Sequence, residues 1–184
     1  MTRFVRHATV MAAACVAIAA PARAFAQDAA STAPRRTAPD SAFTAYMQTL
    51  GFASWTVVTP RPGTAGPVYP AAMRQAGTAG VVLAQFIVDS SGHADPRSFR
   101  PRLSTDPAFT EAVRTSLERM QFVAAQVNGR AVKQLVQMPV AFSLAGGAAA
   151  PLAELDAAPR TVTCQPTGEC PVHRMATVMI SASR

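Results

Sequence analysis

Beyond its N-terminal end the chain has no apolar run near the roughly 20 residues that span a bilayer, which excludes a second membrane anchor. Lysine is almost missing: Lys133 stands alone among 17 Lys and Arg. Acids are fewer still, ten in all, and the formal charge is +7. No dense basic stripe with interleaved aromatics occurs, so a nucleic-acid protein is excluded. Histidine is scarce. His7 lies in the N-terminal end, and His93 follows the turn residue Gly92, where a solvated loop residue is the physical expectation. Glu111 and Glu118 lie near Arg114 and Arg119 on a helical stretch and are read as solvated. No nucleophile, base and orienting group fall into a pattern, so no enzyme motif and no catalytic residues are read. Cysteine numbers three. Cys164 and Cys170 with His173 give three ligands and no fourth, a poor zinc site, and neither metal nor cofactor is expected. In an exported chain, a pair flanking a turn is instead expected to form a disulfide. Closing so short a loop is worth about 2–3 kcal/mol.

What is present begins with an export signal. Arg3 and Arg6 form a basic start, Ala8 to Ala20 is apolar and Ala-rich, and Ala24-Phe25-Ala26 fits the small-x-small cleavage rule. The expected mature chain starts at Gln27, soluble and periplasmic. The alternative is an uncleaved inner-membrane anchor facing the periplasm. Cys15 lacks the lipobox around it. Removing residues 1–26 removes Arg3, Arg6 and Arg23 and no acid, which lowers the charge from +7 to +4.

Composition divides the rest. Residues 27–42 read as a flexible linker of Ala, Ser, Thr and Pro, residues 43–145 as a folded domain, residues 146–160 as an Ala/Pro linker, and residues 161–184 as a disulfide-clipped hairpin. Within the domain, Phe43 to Phe52 suits a short helix and Trp55 to Val58 a short strand. Pro70 opens a helix over 71–76, which Gly77 caps in the left-handed conformation. Val81 to Asp89 predicts a central strand, apolar on both faces. A weak edge strand is expected at about 94–100, because Pro96 and Pro101 remove donors. Asp106-Pro107 predicts a capped helix that buries Phe109, Ala112, Val113, Leu117 and Met120. Asn128-Gly129 is a turn, and 131–144 is the last strand of the domain. Val136, Met138, Val140, Phe142 and Leu144 face inward, and Pro139 argues for an edge.

Read in order, Tyr69-Pro70, Gly77, Gly80, Val88-Asp89, Gly92, Ala112, Phe122, Gly129, Val140, Phe142 and Leu144 resemble the C-terminal domain of the TonB family. The resemblance covers about 75 residues. It departs in detail: Ser104-Thr105-Asp106, Thr110, Met120 and Phe122-Val-Ala-Ala125 stand where the family has other residues. The long spacer of family energy transducers, rich in Pro, Glu and Lys, has no counterpart either.

The resemblance implies an α+β fold: a small three-stranded antiparallel sheet with two helices on one face. It also implies binding of an extended peptide by strand addition, the peptide belonging to a TonB-dependent outer-membrane receptor or another envelope protein. The edge expected to bind is Gln134, Leu135, Val136, Gln137, Met138, Val140 and Phe142. Inner-membrane motor proteins enter as partners only if the N-terminus is an uncleaved anchor, the alternative role of energy transducer. The tail from Val172 to Ile180 is expected to cover that edge. Arg97, Arg100 and Arg102 form the densest basic patch, either a solvated edge or a dock for an acidic partner or membrane face.

Overall fold

The computed structural model describes residues 41–147, 149–164 and 168–183. The expected signal peptide and nearly all of the 27–42 linker lie outside the described residues. Among the described residues no helix is long and apolar enough to cross a membrane.

The helix α1 (Ser41–Thr49) buries Phe43 and Met47. Two stubs follow, β1 (Trp55–Thr56) and β2 (Thr59–Pro60). The helix α2 (Ala71–Ala76) begins directly after Pro70, whose φ of −61° already suits a helix start. It stops because Gly77 takes φ 70°, and the amide N–H groups of Gly77 and Thr78 donate to the carbonyls of Arg74 and Met73. The strand β3 (Gly80–Val88) is apolar on both faces, as a central strand must be. Val82, Ala84, Phe86 and Val88 enter the main core. Val81 and Leu83 enter a second cluster with Ala141 and Leu155.

Asp95 caps a short 3-10 turn at Pro96–Ser98, accepting from the Arg97 amide. This turn uses up the residues expected to form a strand at 94–100, so the edge strand β4 (Arg100–Ser104) comes later. It pairs antiparallel with β3, with an irregularity between Leu83 and Ala84 beside Pro101. The helix α3 (Pro107–Leu117) is capped as expected: the Asp106 carboxylate accepts from the Ala108 amide at 2.7 Å. It buries Phe109, Val113 and Leu117 on β3. The Phe109 ring stacks on Phe142 at 4.6 Å between centroids, and Tyr69 meets both edge-on at 5.8 and 5.6 Å. Such contacts are worth about 0.5–1.5 kcal/mol each beyond burial. Gly80 is required here, because a Cβ would strike the Thr105 hydroxyl and the Phe109 ring.

Short strands β5 (Phe122–Val123), β6 (Ala125–Val127) and β7 (Arg130–Val132) follow. β2 pairs with β5, and β1, β6 and β7 form a small sheet. The β6–β7 turn places Asn128 at φ 48° and Gly129 at φ 76°, as a two-residue hairpin demands. The expected strand at 131–144 therefore divides at Lys133, and its long part is β8 (Gln134–Leu144). β8 pairs antiparallel with β3 from Gly80↔Phe142 to Val88↔Gln134.

The last segment departs furthest from expectation. The 146–160 linker contains the helix α4 (Leu152–Ala157), and its Leu155 packs on the sheet face opposite α3. Helices thus cover both faces rather than one. A hairpin does form, between β9 (Thr161–Cys164) and β10 (Gly168–Pro171). It ends at Pro171, well short of the expected 161–184, and leaves out Val172 to Ile180. That stretch instead gives β11 (His173–Arg174) and β12 (Val178–Ala182), both parallel to β8 on its far side. The sheet has five strands, with β8 between β3 on one side and β11 and β12 on the other.

Candidate strand-addition edge

The strand expected to offer an open edge is covered by the chain's own tail. His173 and Arg174 lie opposite Val136 and Gln137, and Val178 to Ala182 lie opposite Val140 to Leu144. Pro139 signals an edge only in a chain without this cap. The ladder to the tail is interrupted at Met138 and Pro139, where proline has no N–H to donate.

The expected site residues divide by orientation. Val136, Met138, Val140 and Phe142 are fully buried in the main core. Leu135 is half-buried, and Gln134 accepts from the Val58 amide at 2.8 Å. Gln137 is buried on the opposite face. What this strand can offer a partner is therefore its backbone, not these side chains.

Arg174 is the anchoring residue of the tail that sequence reasoning missed. It is 7% exposed. Its guanidinium donates twice to Gln137 Oε1, at 3.0 and 2.7 Å. It also donates to the carbonyls of Leu155 at 2.8 Å, Ala158 at 2.9 Å and Pro159 at 2.8 Å. The Gln137 amide adds a bond to the Pro159 carbonyl at 3.2 Å. One buried fork thus ties β11, β8 and the end of α4 together, a geometry that only guanidinium supplies. Beside it His173 lies 5.9 Å from the Phe43 ring, and Tyr46 meets Cys170 Sγ at 3.6 Å, so α1 backs the tail. The register sets Cys164 opposite Gly168 and Cys170 opposite Val162. The side chain of Cys164 and the turn 165–167 lie outside the described residues.

Elsewhere, the His93 loop is a turn network. Asp89 Oδ1 accepts from the Ser91 hydroxyl at 2.6 Å, the Ser91 amide at 2.8 Å and the His93 amide at 3.0 Å, and the hydroxyl also meets His93 Nδ1 at 3.0 Å. These bonds, the Ser91 hydroxyl foremost, hold the Asp89 carboxyl down to about 2. Burial raises the Tyr69 phenol, which donates to the Thr78 carbonyl at 2.6 Å. In the basic patch, Arg100 turns back onto the carbonyls of Arg97 and Phe99, and Arg114 lies over the Phe99 ring. Among the described residues no cluster of three metal-ligating side chains occurs.

No curated protein matches the chain. A solved structure, the solution NMR structure of the Pseudomonas aeruginosa TonB CTD, is similar at 22% identity. The match covers 46% of this chain and 83% of that one, with a TM-score of 0.38. The family model for the C-terminal region of the Gram-negative bacterial TonB protein matches residues 65–144. That segment runs from just before α2 to the last residue of β8, so the tail covering β8 lies beyond it. On this match, residues 65–144 are similar to the C-terminal domain of the TonB family.

Proposed function

We propose that this chain is a periplasmic TonB-like interaction protein. It binds an extended peptide of an outer-membrane partner by strand addition along Gln134–Leu144. One observation carries this reading: the outer side of β8 already holds an added strand, through a five-residue parallel ladder of backbone bonds. Backbone bonds supply affinity in this mode, and alternate side chains supply selectivity. Calorimetry with peptides from the periplasmic N-terminal segments of TonB-dependent receptors tests it. Binding that shifts β8 amide resonances is expected, and binding that leaves β8 unperturbed overturns the reading.

The other reading, a membrane-anchored energy transducer, follows from the apolar run Ala8 to Ala20 if it is retained. Mass spectrometry of the exported protein distinguishes the two. Gln27 as first residue supports the free periplasmic form, and an intact N-terminus in the inner-membrane fraction supports the transducer. We also assign Cys164 and Cys170 to one disulfide, as expected of a cysteine pair flanking a turn in an exported chain. Non-reducing peptide mapping should recover them linked, and two free thiols refute the assignment.

A further inference from the structure

The tail is held in two unequal halves. In the first, His173, Arg174 and Met175 are buried, Arg174 carries at least five bonds, and the Met175 amide donates to the Gln137 carbonyl at 2.8 Å. In the second, β12, no residue is buried. Val178, Ile180 and Ala182 are half-buried against the main core, while Met179 and Ser181 face solvent. Between the halves Ala176 and Thr177 are exposed, alongside the stretch where β8 presents Met138 and Pro139. The chain therefore has a joint where the ladder is already broken.

We infer that β12 is a built-in stand-in for the partner's strand. The seat on Val140–Leu144 takes an extended segment parallel to β8, with small or β-branched apolar side chains at three alternate positions. β12 swings out at Ala176-Thr177 to admit it, and β11 stays docked. This rests on the strand-addition reading above and adds polarity, pattern and footprint.

Polarity follows from β12 itself, which lies parallel to β8 although β3 on the other side is antiparallel. Pattern follows from the half-buried Val178, Ile180 and Ala182 at i, i+2 and i+4. Ile180 in the middle lies close to Gly66. A charged residue at that position would be desolvated against the core without a partner. Footprint follows from the Arg174 fork, because opening Val136–Gln137 would expose Gln137 and strand the carbonyls that Arg174 satisfies. An occupied seat lowers apparent affinity by the fraction of molecules that are open, so freeing it should tighten binding about 10–100-fold.

The test uses three forms of the purified protein: intact, Ile180→Asp, and a chain ending at Thr177. The probe is a synthetic peptide of the Thr177–Ser183 sequence with a nitroxide at its N-terminus, read by calorimetry and by NMR line broadening. Both altered forms should bind it about 10–100-fold tighter than the intact protein. Broadening should centre on Val140 and spare Leu144, with amide protection retained around Gln137 and Arg174. Equal affinity in all three forms, no binding, or broadening centred on Leu144 overturns the inference. A receptor-segment peptide run alongside separates the two ideas. If it binds the opened forms and the tail peptide does not, strand addition survives and the stand-in falls. If neither binds, both fall.

Discussion

Arg174→Ala should be among the most damaging single substitutions in the tail. It removes at least five hydrogen bonds at once. The acceptors left behind differ. Gln137 Oε1 and the Leu155 carbonyl are bonded within buried surroundings, whereas the bonds to Ala158 and Pro159 are part-buried. The latter pair regains water, so the loss is dominated by the former. An unsatisfied buried acceptor costs about 1–3 kcal/mol. Two such acceptors, Gln137 Oε1 and the Leu155 carbonyl, together cost about 2–6 kcal/mol. A loss of about 2–6 kcal/mol is therefore expected, or roughly 8–24 °C in Tm at about 4 °C per kcal/mol. Arg174→Lys should recover only part, because an ammonium cannot fork to Gln137 and reach the α4 carbonyls together. Chemical denaturation and thermal melts of Arg174→Ala, Gln137→Ala and the double variant complete a cycle. Coupling of about 1–3 kcal/mol is expected for residues in one network. A single-variant loss under about 1 kcal/mol, or additivity within about 0.5 kcal/mol, would refute the fork as the tail's anchor.

Gly80→Ala forces a Cβ into the Thr105 hydroxyl and the Phe109 ring, and should cost about 1–3 kcal/mol or more in urea unfolding. Asp106→Ala removes the cap on the Ala108 amide and should cost about 1 kcal/mol by the same measurement. Asp89 has a folded pKa of about 2, below its ordinary 3.8, so its contribution is complete above about pH 4 and is lost as pH falls toward 2. Asp89→Asn should accordingly flatten the slope of stability against pH in that window and leave it unchanged above. An identical slope in both proteins would contradict the turn network.

Much of the domain is legible because its signals are local. Pro70 and Gly77 bracket α2, Asp106-Pro107 starts α3, and Asn128-Gly129 turns β6 into β7. Two apolar faces on 81–88 mark a central strand, and the match to residues 65–144 bears out the family resemblance. One miss is local: Asp95-Pro96 repeats the cap-and-proline pair of Asp106-Pro107, and it spends Pro96–Ser98 on a 3-10 turn that delays β4. The others are non-local. Leu152–Ala157 is too short to show a helical period, and what fixes it is Leu155 against Val81, Leu83 and Ala141. Pro139 reads as an edge signal, and the sequence does hint that the tail covers β8. The broken alternation of Val172, Met175, Val178 and Ile180 hid the register, because two ladders separated by a gap share no single period. Arg174 carries no sequence signal, since its partners lie at Gln137 and in the backbone within and just after α4.

The cap being C-terminal to the strand it covers has a consequence in time. In a chain that emerges N-terminus first, β8 is complete at Leu144 before β12 is complete at Ala182. For an exported chain that order applies where it enters its compartment, so the strand arrives ahead of its own cap. A partner waiting where the chain emerges would meet a different protein from one that encounters it later.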